Sequence, residues 1–418
     1  MDSRISGFYK LPLGERLKVL KNMGVLSDLD LRTLEEGLSV DQAEKMIENV
    51  AGLFQLPLGV ATNYQVNGRD YLVPMVTEEA SVVAASSNAA KIARAGGGFK
   101  AVCSDPIMVG QIQLTGLTSI SRAKKTLLDS KEELIEHANN QDPVLVRHGG
   151  GVRDIEVREV DTLRGTMLVL HLLVDVRDAM GANAVNTMAE SIAPKVEEKT
   201  KGKVYLRIIS NYAVKRTAKS KAVFPKDALG GEAVVEGILN AWALSQADVY
   251  RAVTHNKGVM NGVSAVVCAT GNDTRAVEAG CHSFASRSGE YKPLTAYYQN
   301  DEGDLVGEIE IPCPVGLVGG ATRSHPIARL AVKILGVKSA NQLGEVIASV
   351  GLAQNLAALK ALGSEGIQRG HMSLHAKNIA IQAGAEGALI DQVAKIMVLD
   401  KKVREDYARE ILARLKRD

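Results

Sequence analysis

Thr254-His255-Asn256-Lys257-Gly258-Val259-Met260-Asn261-Gly262 is followed by an apolar run over 264–269 and then by Thr270-Gly271-Asn272-Asp273-Thr274-Arg275. One lysine and one aspartate thus stand on either side of a short apolar segment, each flanked by glycine. The run at 264–269 reads as a buried strand, and the glycines let backbone approach a ligand. A lysine ammonium inside a fold needs a counter-charge, because burying an unpaired ion costs several kcal/mol. Asp273 stands where such a partner belongs, at the N-cap of a helix expected to start near Thr274. On residue types alone the pair is open to two readings, a structural ion pair and a catalytic one.

Around this block the chain has 418 residues, enough for two or three domains and a large core. Apolar residues make up 46% and charged ones 23%, the balance of an ordinary globular protein. A net charge of +2 gives no electrostatic reason to bind nucleic acid or an acidic membrane, and 4% aromatics leave few platforms for stacking bases. Cys103, Cys268, Cys281 and Cys313 are scattered without CxxC spacing. They argue against a zinc site and a disulfide framework, and they suit a reducing cytosol. Met1-Asp2-Ser3-Arg4 leads into polar sequence without a signal-peptide pattern. The apolar stretch at 167–174 is about half a membrane span and is broken by His171. The expectation is a cytoplasmic protein without nucleic-acid or membrane partners.

Helical periodicity marks 13–23, and Ser39-Val40-Asp41-Gln42 reads as a capping box opening a helix through about Val50. Val66-Asn67-Gly68-Arg69 is a hairpin turn between strands, and a small-residue helix over 80–95 ends at Gly96-Gly97-Gly98. From about Asp105 the pattern changes. Strands are expected at 111–116, 144–146, 151–160, 166–174 and 203–209, with helices at 119–139 and 182–198 between them. That alternation suggests a compact ferredoxin-like α+β unit. Long helices and short strands return over 215–365, so the middle unit reads as inserted into a larger one. The last fifty residues are almost wholly helical. Domains are therefore expected at 1–105 with 215–367, at 106–214, and at 368–418. The fold class is α/β (α+β), and it is not a Rossmann fold, since no GxGxxG or Walker A sequence occurs.

Several further groups carry chemistry. Glu79 follows a strand and precedes a helix, where an acid also serves simply to offset the helix dipole. His371 and His375 have the spacing of a zinc-protease pair, but Met372 replaces the glutamate that chemistry needs, so no metal is expected. Asp178-Ala179-Met180-Gly181-Ala182-Asn183 lies between an apolar run and a helix, a turn able to present backbone N–H groups to a pyrophosphate. Arg251, Asn261 and Ser81 flank the charged candidates, and each also fits a surface or capping role.

Five blocks in order, Glu48-Asn49-Val50-Ala51-Gly52, Pro74-Met75-Val76-Thr77-Glu78-Glu79-Ala80-Ser81, Asp178 to Asn183, Thr254 to Arg275, and Gly370-His371-Met372, resemble the motifs of the class II (soluble, prokaryotic-type) hydroxymethylglutaryl-CoA reductases. The resemblance spans about 48–378. It implies reduction of hydroxymethylglutaryl-CoA to mevalonate and CoA by two nicotinamide hydrides, or the reverse. It implies Lys257 as the oxyanion donor, Glu79 as the proton source and Asp273 as the residue that holds and tunes the lysine. It further implies that His371 protonates the CoA thiolate, that Ser81 and Arg251 hold the acyl carboxylate, and that Asn261 orients Lys257. Asp178, Ala179, Met180, Gly181, Ala182 and Asn183 would bind the dinucleotide. By the same likeness the large domain takes the CoA substrate, the small one NADPH or NADH, and the C-terminal helices form a flap. The active site would lie at a homodimer interface near 48–52. Arg147, a cation in the loop before Gly149-Gly150-Gly151, leans the cofactor towards NADPH. Two competing classes remain open: another CoA-thioester or aldehyde dehydrogenase, with Cys268 as its nearest candidate nucleophile, and a ligand-binding protein without catalysis.

Overall fold

The structure, a computed structural model, describes residues 2–363 and 367–416, with side chains placed over 2–363 and 375–416. The chain opens with helices α1 (Leu13–Asn22), α2 (Asp28–Glu36) and α3 (Val40–Ala43). α2 and α3 each start on a capping box, Ser27 with Asp30 and Ser39 with Gln42. The second box was expected, but its helix ends at Ala43 and not near Val50. Residues 44–57 are irregular, and Ile47 and Phe54 stand exposed along them. Strands β1 (Leu58–Val66) and β2 (Arg69–Val76) form a hairpin. Asn67 and Gly68 both take positive φ there, as a two-residue turn of matching twist demands. Helix α4 (Val82–Ala95) and strand β3 (Lys100–Cys103) follow.

The next unit runs β4 (Ile107–Thr115), α5 (Ile120–Asp129), α6 (Lys131–Asn139), α7 (Pro143–Arg147), β5 (Gly151–Thr162), β6 (Gly165–Asp175), α8 (Ala182–Thr200) and β7 (Lys203–Ile209). Its sheet has the order β5-β6-β4-β7, antiparallel throughout. With helices between β4 and β5 and between β6 and β7, this is the ferredoxin-like arrangement. Ile112, Leu170, Leu172, Met188 and Ile192 make a core of its own. Two expectations fail here. The helix foreseen over 119–139 is broken at Ser130 into α5 and α6. The strand foreseen at 144–146 is instead helix α7, because Pro143 takes its first turn and the Asp142 carboxylate accepts the Leu145 N–H. An N-cap followed by proline outweighs a three-residue apolar run.

The chain then returns through β8 (Thr217–Phe224), α9 (Lys226–Leu229), α10 (Glu232–Ala247), α11 (Val249–Ala269), α12 (Thr274–Ala285), β9 (Thr295–Gln299), β10 (Leu305–Pro312), α13 (Ala321–Ser324), α14 (Pro326–Leu335) and α15 (Ala340–Gly363). β8 pairs with β3, Lys100 opposite Lys221 and Cys103 opposite Ala218, in the sheet β3-β8-β10-β9. The chain thus leaves one sheet for the ferredoxin-like unit and re-enters beside its point of exit. Helix α15 is long and apolar enough to cross a membrane, yet 67% of its most apolar window is buried inside the protein, against α11 and the sheet. Helices α16 (Ile367–Gln382), α17 (Ala388–Leu399) and α18 (Glu405–Leu415) close on Ala376, Ala380, Val393, Met397 and Ile411, a further separate core.

The deciding stretch is corrected most. Residues 264–269 are not a strand but the last turns of α11, a single helix from Val249 to Ala269. A short apolar run inside a buried helix has no period to distinguish it from a buried strand. The glycines also mean something else. A Cβ at Gly262 would lie 2.9 Å from the Val350 carbonyl and 2.8 Å from Gln354 Cβ, and one at Gly351 would lie 2.9 Å from Val263 Cγ2. They let α11 and α15 cross at close range.

Candidate active site

Lys257 and Asn261 are one turn apart on α11, so they share a face. Glu79 reaches that face from the turn between β2 and α4. Lys257 Nζ lies 2.6 Å from Glu79 Oε2, and Asn261 Nδ2 donates to Glu79 Oε1 at 3.3 Å. Both oxygens of one carboxylate are therefore engaged, while the lysine stays 59% and the glutamate 39% exposed. Asn261, expected to orient the lysine, contacts the glutamate that the lysine pairs with.

Two residues beyond Glu79, Ser81 occupies the N-cap of α4 at φ 74 without capping it. That left-handed conformation is costly for a non-glycine residue, and such strain gathers at functional sites. Its hydroxyl oxygen is buried and finds no hydrogen-bond partner among the described residues. A buried unsatisfied hydroxyl invites a ligand oxygen. Arg251 sits in the first turn of α11, where the Asp248 carboxylate caps its amide at 2.9 Å. No carboxylate pairs with its half-buried guanidinium among the described residues, and burial holds it below the usual arginine range. Such a group suits an incoming carboxylate.

The helix itself is bolted from behind. His255 and Asn256 are buried, and Asn256 donates to Lys292 O and accepts from Leu294 N. His255 Nε2 contacts Thr295 Oγ1 at 2.6 Å, Thr295 and Tyr297 donate to Asn355 Oδ1, and Asn355 Nδ2 donates to His255 O. Burial, with Arg251 nearby, pushes the His255 imidazole down to about 3, so it is neutral. The two residues before Lys257 therefore anchor this turn of α11 to the sheet and to α15.

Asp273 caps α12 as expected, accepting from Ala276 N at 3.1 Å. It does not meet Lys257. From Lys257 to the end of α11 at Ala269 the helix axis covers about 18 Å. Within one chain Asp273 therefore does not hold Lys257 as expected; Glu79 does. Asp273 lies instead at the end of α11 that faces the 178–183 turn, since Asn272 Oδ1 accepts from Gly316 N, and Leu317 N donates to Asp178 O.

In that turn the Asp178 carboxylate is taken by Ala340 N at 2.7 Å, so its visible work is to bind the turn to α15. Ala179 and Met180 offer their carbonyls to Arg216. Gly181, at φ 103, is the N-cap of α8 and supplies no side-chain acceptor to the first-turn amides at Ala182 and Asn183. A long helix with an uncapped N-terminus presents free N–H groups to an anion. Arg147 lies exposed in the last turn of α7, its Nε on Pro143 O. Sequence reasoning passed over two cations closer to the turn. Arg153 and Arg177 both contact Gly149 O and both pair with Asp175. Isolated arginines at strand ends give no spacing signal. Also unforeseen is a chain from Ser264 to Glu278, His282 and Tyr291, which ties α11 to α12. The Glu278-to-His282 step of four residues was its readable sign.

The side chain of His371 lies outside the described ones; its position is within α16. His375 is exposed. Among the described residues no cluster of His, Cys, Asp or Glu has the makings of a metal site. Cys268, the alternative nucleophile, sits exposed in the last turn of α11, its thiol pushed up by partial desolvation, far from Lys257 along the helix axis. That is poor placement and poor activation for a thiolate.

Comparison with known proteins gives a consistent picture. The family model for hydroxymethylglutaryl-coenzyme A reductase matches residues 12–376. The 3-hydroxy-3-methylglutaryl-coenzyme A reductase of Archaeoglobus fulgidus is 58% identical over 417 residues, covering 100% of this chain and 95% of that protein. The probable reductase of Borreliella burgdorferi is 38% identical, over 80% of this chain and 77% of its own length. The solved 3-hydroxy-3-methylglutaryl-CoA reductase of Streptococcus pneumoniae superposes with a TM-score of 0.84 at 41% identity, covering 98% of this chain and 99% of that one. A class II structure from the same organism, bound to NADPH in open conformations, gives 0.83 at 42% identity, over 86% and 99% of the two chains.

Proposed function

The chain belongs to the hydroxymethylglutaryl-coenzyme A reductase family, with the class II architecture, and we propose that Glu79, Lys257 and Asn261 form the reducing centre for its substrate. The reaction is reduction of hydroxymethylglutaryl-CoA to mevalonate; the same site would also serve the reverse oxidation. One observation carries the assignment: Lys257 is held 2.6 Å from Glu79 on a partly exposed face, and two residues beyond Glu79 the Ser81 hydroxyl has no partner among the described residues. Two reduced nicotinamide cofactors, held in turn at 178–183, would supply one hydride each. Their negative phosphates fit the uncapped α8 N-terminus, and Arg177, Arg153 and Arg147 surround the neighbouring glycine turn with cations. Those cations favour NADPH over NADH.

Lys257 then donates to the carbonyl oxygen on which charge develops, the term worth most in such chemistry. Glu79 holds the lysine in the ground state and passes protons to the reduced oxygen. Ser81 and Arg251 take the acyl carboxylate. His371 protonates the departing thiolate, a task for a group that titrates near neutrality. We assign residues 1–105 and 215–367 to substrate, 106–214 to the dinucleotide, and 368–418 to a flap that admits cofactor and closes over both.

Lys257 and Asp273 belong to one site only if a second copy of this chain brings its Asp273 to this Lys257. The surface supports that reading. Val253 is exposed one turn before Lys257, Tyr250 stands 84% exposed, and Phe54 stands 91% exposed beyond the 48–52 segment. Apolar side chains so exposed around a charged centre suit a self-complementary contact. The test of function is loss of absorbance at the nicotinamide band with hydroxymethylglutaryl-CoA and each reduced cofactor. No oxidation of either sinks the assignment. His371→Ala should impair thioester reduction far more than reduction of free mevaldehyde, which releases no thiolate; equal losses would remove His371 from that role.

A further inference from the structure

Where the chain re-enters the large body after β7, Arg216 is only 4% exposed. Its guanidinium meets no carboxylate within ion-pair distance among the described residues. It donates to three backbone carbonyls: Ala179 O at 2.9 Å, Met180 O at 3.1 Å and Val315 O at 2.5 Å. The first two belong to the turn before α8, the third to the loop after β10. Around this fork the same two segments are joined again. Leu317 N donates to Asp178 O at 2.8 Å, and Ala179 pairs with Val318 as an isolated bridge. Gly316 packs so tightly that a Cβ there would stand 2.4 Å from Met180 N. From Gly316 the contact continues, because its N–H donates to Asn272 Oδ1 at 2.7 Å, next to the α12 cap Asp273.

We infer that Arg216 is a positioning residue that sets the register between the dinucleotide turn at 178–183 and Asp273, with Gly316 and Asn272 as the links between them. This rests on the assignment of that turn to the nicotinamide cofactor. Only arginine meets the geometry: its planar fork serves carbonyls on two separate segments at once, and it carries no acceptor to clash with them. Burial pushes the group down to about 10, so it remains a cation at neutral pH, with the Asp178 and Asp175 carboxylates partly offsetting its charge. A buried cation turned on carbonyls draws their oxygens inward. The opposite ends of those peptide units, the N–H groups at Met180 and Gly181, thereby take a defined direction, and Gly181 leads directly into the uncapped end of α8. A displacement of about 1 Å at such a turn is enough to cost two orders of magnitude in rate when it misplaces a reacting atom.

Arg216→Lys keeps the charge but not the fork, and Arg216→Met removes both. The measurements are the Kd of NADPH from its fluorescence without the acyl substrate, kcat, and KM for hydroxymethylglutaryl-CoA, beside circular dichroism and unfolding midpoints. We expect Arg216→Met to raise the NADPH Kd by about tenfold or more and to lower kcat, with KM for hydroxymethylglutaryl-CoA within about twofold of wild type. Arg216→Lys should recover part of both losses. A variant that only loosens the fold would lower the midpoint and raise both constants together, which overturns the inference. If Arg216→Met does not fold, Arg216→Lys decides alone: soluble protein with wild-type Kd and kcat overturns it. Wild-type protein that binds neither NADPH nor NADH would sink the cofactor assignment, a result distinct from wild-type binding that Arg216→Lys leaves untouched.

Discussion

A lysine ammonium 2.6 Å from one carboxylate oxygen, with the other oxygen taken by an asparagine amide, is a charge held in place before substrate arrives. Losing one preorganised donor of this kind typically costs ~10²–10³ in rate. Lys257→Ala is therefore expected to reduce kcat by about that factor with unchanged unfolding behaviour, and a variant retaining most of its activity would remove Lys257 from the chemistry. Asn261→Ala deletes a hydrogen bond to a charged group, worth about 1.5–3 kcal/mol, so a smaller loss of ~10–100-fold is expected in the same assay. His255 gives a stability prediction. Its imidazole is held down to about 3 in the fold by burial, whereas the unfolded chain titrates it near 6.5. Between those values the unfolded state binds the extra proton, so this stability is complete above about pH 6.5 and is lost as pH falls towards 3, by about 1.4 kcal/mol per unit. His255→Gln should flatten the fall of the unfolding midpoint below pH 6.5; an unchanged slope would mean that His255 is not the group responsible.

At the scale of elements, the site depends on two helices meeting closely. Gly262 of α11 lies against Val350 and Gln354 of α15 with no room for a methyl group. Overpacking costs about 1–3 kcal/mol, and the gain of about 1 kcal/mol in helix propensity from alanine does not offset it. Gly262→Ala should lower the unfolding midpoint by a few degrees, whereas Gly14→Ala in α1, where a Cβ would meet nothing within 4 Å, should leave or raise it. Equal shifts for the two would show that the crossing is not tight. The other end of α11 is set by its cap. Asp248→Ala should cost about 1 kcal/mol and fray the turn that carries Arg251, raising KM for hydroxymethylglutaryl-CoA more than KM for the cofactor. Helix starts of this kind were legible from residue types: Ser39 with Gln42 and Asp273 before Thr274 both cap as read. Lengths were not, because a capped start says nothing of where tertiary contacts stop supporting a helix, and the one from Ser39 stops at Ala43.

For the whole molecule, the separation of Lys257 on α11 from Asp273, which caps α12 beyond the far end of α11, is the fact with the largest consequence. If each site takes Lys257 from one subunit and Asp273 from its partner, Lys257→Ala and Asp273→Asn chains are each inactive alone, yet their mixed dimer holds one intact site. Subunit exchange in an equal mixture should restore about a quarter of wild-type activity, since half the dimers are mixed and each has half its sites. A mixture as inactive as its parents would show that the two residues do not combine across an interface.

Residue chemistry and order along the chain were enough to determine the mixed architecture and the ferredoxin-like insertion, because turn glycines and alternating apolar positions act locally and leave local marks; Glu79, Lys257, Asp273, His371 and Asn261 became site candidates through the resemblance of ordered motifs. The tertiary structure alone decided that 264–269 is helix, since a run buried on every side has no periodicity to read. It alone decided that Glu79 and not Asp273 is the ion-pair partner of Lys257 within a chain, because the remaining turns of α11, rising about 1.5 Å per residue, carry the chain well away from Lys257 before it reaches Asp273 at the start of α12. Arg216 and its three carbonyls were equally invisible, as backbone acceptors have no identity in a sequence and become partners only when two distant segments are brought together.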